Sequence, residues 1–150
     1  MAYIILEKIE ASQHIETIVA EADLLNGQFV TLGELAEVEN GGEAVAVEPM
    51  VDGDTDIVLH ASVPLVAEDQ KGEADFVLKA GKAGRAYRLK DGNQVAFSAD
   101  LVTGTGKFAV PTGAGVELVA DKPATGLYGR VHEVFEDINV GQMTSIKFVK

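Results

Sequence analysis

Short apolar stretches, many rich in β-branched residues, recur along the chain between turn signals. The turns are Asn26-Gly27, Asn40-Gly41-Gly42, Asp52-Gly53, Lys71-Gly72, Asp91-Gly92, Thr103-Gly104-Thr105-Gly106 and Thr112-Gly113-Ala114-Gly115. Many short strands closed by positive-φ glycines predict a mainly β protein, a small β-barrel or sandwich with Gly-rich turns and little helix. The predicted strands are Tyr3–Ile9, Ile15–Val19, Gln28–Leu32, Ala44–Glu48, Asp56–Ser62, Arg85–Leu89, Gln94–Phe97, Lys107–Val110, Val116–Ala120, Tyr128–Val134 and Thr144–Val149.

Several of these alternate cleanly. Arg85, Tyr87 and Leu89 share one face, with Ala86 and Arg88 on the other. Val116 and Leu118 oppose Glu117 and Val119, and Ile146 and Phe148 oppose Lys147 and Val149. A final strand flanked by Lys predicts a sheet edge. Ile15, Ile18, Val19, Ala22 and Leu25 also fit a helical stripe, so a short helical turn is predicted over Ala20–Leu25, after a strand. Val66–Phe76 is polar and reads as helix or extended loop. Glu34–Thr55 is acidic and interrupted by Gly. It is expected as a projecting loop or hairpin, at about 34–56, on a single β domain spanning residues 1–150. No repeat with a period of 20–50 residues is evident.

Length supports that organisation: 150 residues bury one good core and are too few for two ordinary domains. An apolar share of 47% excludes a disordered acidic chain. With no Cys there is neither a disulfide framework nor a Cys zinc site. No apolar run reaches the ~18 residues of a membrane-spanning helix, and Met1–Glu7 lacks the basic start and long apolar run of a signal peptide. A net charge of −12 argues against nucleic-acid and anionic-membrane partners. That charge is uneven. Residues 1–75 carry 17 acidic and two basic side chains, and residues 76–150 carry seven and ten. Lys79, Lys82, Arg85, Arg88 and Lys90 crowd one stretch. Solubility explains such a split; so do acidic and basic parts that face different partners, or each other between copies.

Motifs for chemistry mostly fail on spacing. Gly104-Thr105-Gly106-Lys107 lacks the first Gly of a phosphate loop, where Leu101 stands, and its Ser/Thr, where Phe108 stands. Asp52-Gly53-Asp54-Thr55-Asp56 begins like a calcium loop, but Ile57 and Val63 occupy the positions that need Gly and Glu. It reads as a solvated acidic turn, with a looser cation site as the alternative. His14, His60 and His132 fall on three predicted strands without metal-ligand spacing. Ser12, Ser62, Ser98 and Ser145 sit in strand-like contexts, and none is read beside a plausible base. No nucleophile, base and oxyanion donor converge, so no enzyme, metal or cofactor is expected.

Two segments carry a family likeness. Ala22-Asp23-Leu24-Leu25-Asn26-Gly27-Gln28-Phe29-Val30-Thr31-Leu32-Gly33 resembles an acidic–x–x–Asn-Gly–x–x–Val–x–Leu-Gly turn and strand near the start of tailed-phage head decoration, or capsid cement, proteins. Gly84-Arg85-Ala86-Tyr87-Arg88-Leu89-Lys90-Asp91-Gly92-Asn93-Gln94-Val95-Ala96-Phe97-Ser98 is similar to their later strand–turn–strand. The resemblance implies a non-enzymatic structural virion protein. Such a protein is made in the host cytoplasm and binds the capsid exterior, with the major capsid protein as partner and a homo-oligomer, a trimer, as the state. It carries no catalytic residues over. The expected contact residues are the apolar N-terminal Tyr3, Ile4, Ile5 and Leu6, as an arm or as the first strand of the protein's own sheet, and the cations Lys82, Arg85 and Arg88. The competing class is a β-type binding or adhesion module for a glycan or protein, disfavoured by the absence of Trp and only three Tyr.

Overall fold

The computed structural model describes residues 2–9, 13, 15–37, 43–51, 53–54, 56–62, 77–138 and 140–149. Among these are fourteen strands and one 3-10 turn, Ala99–Leu101, so the chain is mainly β as its turn pattern predicts. All eleven predicted strands are present, and three further strands are only two or three residues long.

Five strands close a barrel in the order β2 (Ile15–Ala20), β5 (Glu43–Pro49), β4 (Phe29–Glu37), β6 (Ile57–His60) and β8 (Gly84–Tyr87). Only the β2–β5 contact is parallel. Ile18, Val30, Val47, Val58 and Ala86 fill it. A two-stranded ladder, β3 (Leu24–Leu25) with β7 (Val77–Leu78), supplies Leu24 and Leu78 to the same core. Here the predicted helical turn is corrected. Leu24 is fully buried and Leu25 is 40% exposed, a period of two that suits pairing with β7. Asp23 supports this arrangement by accepting the Ala80 N–H at 2.9 Å.

The other seven strands form an open sheet in the order β1 (Ile4–Lys8), β9 (Gln94–Ser98), β14 (Gly141–Val149), β13 (Tyr128–Asp137), β11 (Phe108–Thr112), β12 (Gly115–Val119) and β10 (Val102–Gly104). The final strand β14 is not an edge: β9 and β13 pair with it on either side. Lys147 marks an exposed face, a property that sequence alternation cannot distinguish from an exposed edge.

Barrel and sheet share a wall. Phe29 and Leu59 are paired across β4 and β6 and point into the sheet's core. Their neighbours Val30 and Val58, also paired, point into the barrel. Phe29, Phe97 and Phe148 meet at centroid distances of 6.3, 5.9 and 6.2 Å. That geometry adds about 0.5–1.5 kcal/mol per pair to the burial of the rings. The acidic stretch contributes β4 and β5, joined in antiparallel register as far as Glu37 opposite Glu43. Val66–Phe76 lies outside the described residues.

Candidate interaction surfaces

Tyr3–Leu6 are held in the protein's own sheet. Ile4, Ile5 and Leu6 stand opposite Phe97, Ala96 and Val95. Tyr3 donates its N–H to Ser98 Oγ at 3.0 Å and accepts the Ser98 N–H at 2.9 Å. Ile4 and Leu6 pack on the large core, which puts Ile5 on the opposite face, half-buried. β1 ends the strand order, so its outer edge pairs with no strand among the described residues.

The basic stretch separates in space. Lys82 is exposed on the turn before β8, where its N–H bonds Lys79 O at 3.1 Å. Arg85 is exposed on the barrel wall opposite Thr17. Arg88 is tied inward, its guanidinium 3.0 Å from Asp56 and 3.9 Å from Glu16. Lys79 lies 3.4 Å from Asp23. The acidic and basic halves of the chain therefore meet partly within one molecule.

Two carboxylates of the acidic turn are engaged by the protein itself. Asp54 Oδ2 accepts the Thr31 hydroxyl at 2.7 Å and the Val51 N–H at 3.0 Å. These bonds, the backbone one first, hold its carboxyl below the usual carboxylate range. Asp23 is lowered likewise, chiefly by the Ala80 N–H. Asp56 pairs with Arg88, while Asp52 and Thr55 lie outside the described residues. Among the described residues no three His, Cys, Asp or Glu side chains gather as a metal site. His132 is exposed, and His14 lies outside the described residues.

His60 makes a buried polar clasp. Its Nδ1 stands 2.8 Å from Leu25 O and its Nε2 2.8 Å from Ser62 Oγ. A carbonyl only accepts, so Nδ1 carries the proton and Nε2 accepts the Ser62 hydroxyl. Ser62 Oγ in turn accepts the Arg85 N–H at 2.9 Å. The Asn26 side chain bonds both the Ser62 N–H, at 2.8 Å, and the Ser62 carbonyl, at 2.9 Å. Burial holds the His60 pKa below its ordinary value, against the opposing pull of Leu25 O. Sequence reading missed this Ser–base pair. The signal was His60-Ala61-Ser62, since positions i and i+2 of a strand share a face. The hydroxyl is walled in: a Cβ on Gly84 would lie 2.8 Å from Ser62 Oγ and 2.3 Å from Leu78 Cδ2. Its geometry fastens the Leu25–Asn26 segment to β6 and β8.

On the sheet, Glu7 accepts the Ser145 hydroxyl, and Gln94 Nε2 donates to Ser145 Oγ at 2.9 Å and to Glu7 at 3.3 Å. A shallow cleft of about 260 Å³ beside this end is lined by Lys8, Ile9, Asp91, Gly92 and Asn93. Among the described residues the most exposed large apolar side chains are Ile138 at 96% and Leu35 at 77%.

No helix among the described residues is long and apolar enough to cross a membrane. Comparison with family models, curated proteins and solved structures gave no match.

Proposed function

We propose that this protein is a non-enzymatic structural component of a tailed-phage virion, a decoration or cement protein that binds the capsid exterior and stabilises it. One observation carries the reading. The two segments that resemble such proteins, 22–33 and 84–98, lie far apart in sequence, yet Phe29 of the first stacks on Phe97 of the second at 6.3 Å. They act as one packed unit at the wall that joins barrel and sheet. A cement protein needs contacts that exist only in the assembled shell, and mass action turns those contacts into capsid stability. The proposed partner is the major capsid protein and the proposed state a trimer on a symmetry axis, where repetition makes modest contacts sufficient. Tyr3, with Ile4–Leu6 of the edge strand β1, and the exposed Lys82 and Arg85 are the proposed capsid-facing groups, with Arg88 tied to Asp56.

Co-sedimentation of the purified protein with undecorated capsids tests this, together with microscopy of particles assembled with and without the chain. Saturable binding that weakens in Arg85→Glu is expected. Failure to bind capsids, with a specific hit on a glycan array, would replace the reading with that of an adhesion module.

A further inference from the structure

Two separate demands of the fold place a chemically labile dipeptide just before β4. Gly27 sits at φ +95°, and an added Cβ would come within 2.3 Å of Leu101 Cδ1 and 3.0 Å of Ile4 Cγ2, so a side chain is excluded by both conformation and space. Asn26 is buried, at 6% exposure. Its side chain bonds both main-chain groups of Ser62: Nδ2 donates to the carbonyl at 2.9 Å, and Oδ1 accepts the N–H at 2.8 Å. An amide supplies that donor and acceptor on one short planar group.

Asn followed by Gly is the pairing in which a main-chain nitrogen most readily attacks the neighbouring side-chain amide, because Gly puts no Cβ in the way. The fold holds both reacting groups off that course. The Gly27 N–H donates to the His60 carbonyl at 2.9 Å, so the attacking nitrogen is occupied. The Asn26 amide is fixed at both ends by Ser62, so its Cγ cannot turn toward that nitrogen. The His60 N–H bonds the Gln28 carbonyl at 2.9 Å, and the Ser62 hydroxyl on His60 Nε2 closes the clasp behind them.

We propose that Asn26-Gly27 is a site of self-modification, sealed while the clasp is closed and exposed whenever this segment opens. Once released, the Gly27 nitrogen loses its proton and bonds Asn26 Cγ. The Cγ–Nδ2 bond breaks, and ammonia leaves a five-membered cyclic imide. Water adds to either carbonyl of that ring and opens it to an aspartyl or an isoaspartyl link. Neither product rebuilds the clasp. A carboxylate has no donor for the Ser62 carbonyl, and two acceptors then face each other in a buried place. The isoaspartyl link adds a carbon to the main chain beside Gly27, where Leu101 and Ile4 leave no room. Opening of the β3 segment is thereby written irreversibly into the chain. The chemistry is the same whatever the protein binds.

Peptide mapping by mass spectrometry, over a time course in mildly alkaline buffer, tests it on the folded chain and on the chain in concentrated urea. Asn40-Gly41 is the chain's other Asn-Gly pair, and in urea the two should react at comparable rates. In the folded chain Asn26 should react on the order of a hundredfold more slowly than in urea, because the open fraction sets the rate. Ser62→Ala removes the hydroxyl that His60 Nε2 and the Arg85 N–H share and keeps both main-chain groups that hold Asn26. It should raise the folded-state rate on the order of tenfold, with circular dichroism like that of the wild type. The wild-type comparison needs no variant, so it decides the sealing even where Ser62→Ala fails to fold. Asn26→Asp, which installs the aspartyl product directly, should melt about 5 °C or more below the wild type. Asn26 reacting as fast in the folded chain as in urea overturns the proposal. So does a folded Ser62→Ala chain with an unchanged rate, or an Asn26→Asp chain that melts like the wild type.

Discussion

The barrel and the open sheet solve the same problem differently. The barrel closes on itself, so each of its strands has a neighbour on both sides and it offers only side chains to the outside. Its core is aliphatic, and a buried histidine clasp fastens its β3 segment. The sheet stays open, ends on β1 and β10, and builds its core around three phenylalanines. Lys79 and Arg88, which flank the barrel strands, pair with acids of the same chain, whereas Arg85 on the barrel wall and Arg130 of β13 and Lys147 of β14, opposite each other on the sheet, form no ion pair among the described residues. Closure satisfies the strand backbone locally; openness leaves the edges at β1 and β10 available to a neighbour.

The largest expected effect tests whether the two regions are separable at all. Phe29 belongs to a barrel strand and to the sheet's core. Phe29→Ala should cost about 3–5 kcal/mol. Urea unfolding should still show one transition, because the shared wall couples both cores. Two resolved transitions, with the barrel surviving, would show two independent units.

Gly115 sharpens the sheet side. It sits at φ +142°, and an added Cβ would come within 2.2 Å of the Leu101 carbonyl oxygen. Gly115→Ala should cost roughly 3 kcal/mol, because backbone has to move where β10 runs beside β12. A melting temperature within a degree or two of wild type would contradict that close approach.

The barrel side answers to pH. His60 has a depressed pKa in the folded state, so the unfolded chain binds the extra proton first. Its contribution is fully present above the unfolded value of 6.5 and is lost as pH falls from there toward the depressed folded value. The slope is at most about 1.4 kcal/mol per pH unit. Amide exchange should rise around Leu25–Asn26 in this window, and His60→Gln should flatten the slope. The carboxylates of Asp23 and Asp54 stabilise the fold above the unfolded value of 3.8, and that contribution is lost as pH falls from there toward their lowered folded values. A stability profile flat from pH 7 to 5 would sever the clasp from barrel stability.

The smallest effect belongs to the Arg88–Asp56 pair, whose side chains are 28% and 59% exposed. A double-mutant cycle should return a coupling of about 0.5 kcal/mol, screened further by salt. A coupling of several kcal/mol would mean that this charge holds the barrel rather than decorating it.

What was legible in the sequence follows from the range of the interactions. Turn glycines and alternation are local, and they located the eleven longer strands. The strands β3, β7 and β10 exist because of their partners: Leu24 is a strand residue because Leu78 stands opposite it. Sheet order was hidden for the same reason, which is why β14 reads as an edge from its lysines and proves central. The surfaces divide likewise. Ile4–Leu6 are visible as a strand, but the acids that hold Arg88 are not, since Asp56 lies 32 residues away. His60-Ala61-Ser62 was readable in principle from strand periodicity alone. The Arg130–Lys147 pair was not, because it needs the register of β13 on β14.

The β1–β9 pairing also sets a timetable for synthesis. Tyr3 bonds Ser98, 95 residues further along, so β1 waits for a partner made much later. At translation rates of about 5–20 residues per second, Ile4-Ile5-Leu6 emerges roughly 5–20 s before β9 exists. The other flank of β9 stays bare longer still, until β14 arrives. The barrel needs nothing beyond Tyr87 and can close first on the nascent chain. Ile4-Ile5-Leu6, apolar, tethered to a finished barrel and still unpaired, make the species a holdase chaperone would meet.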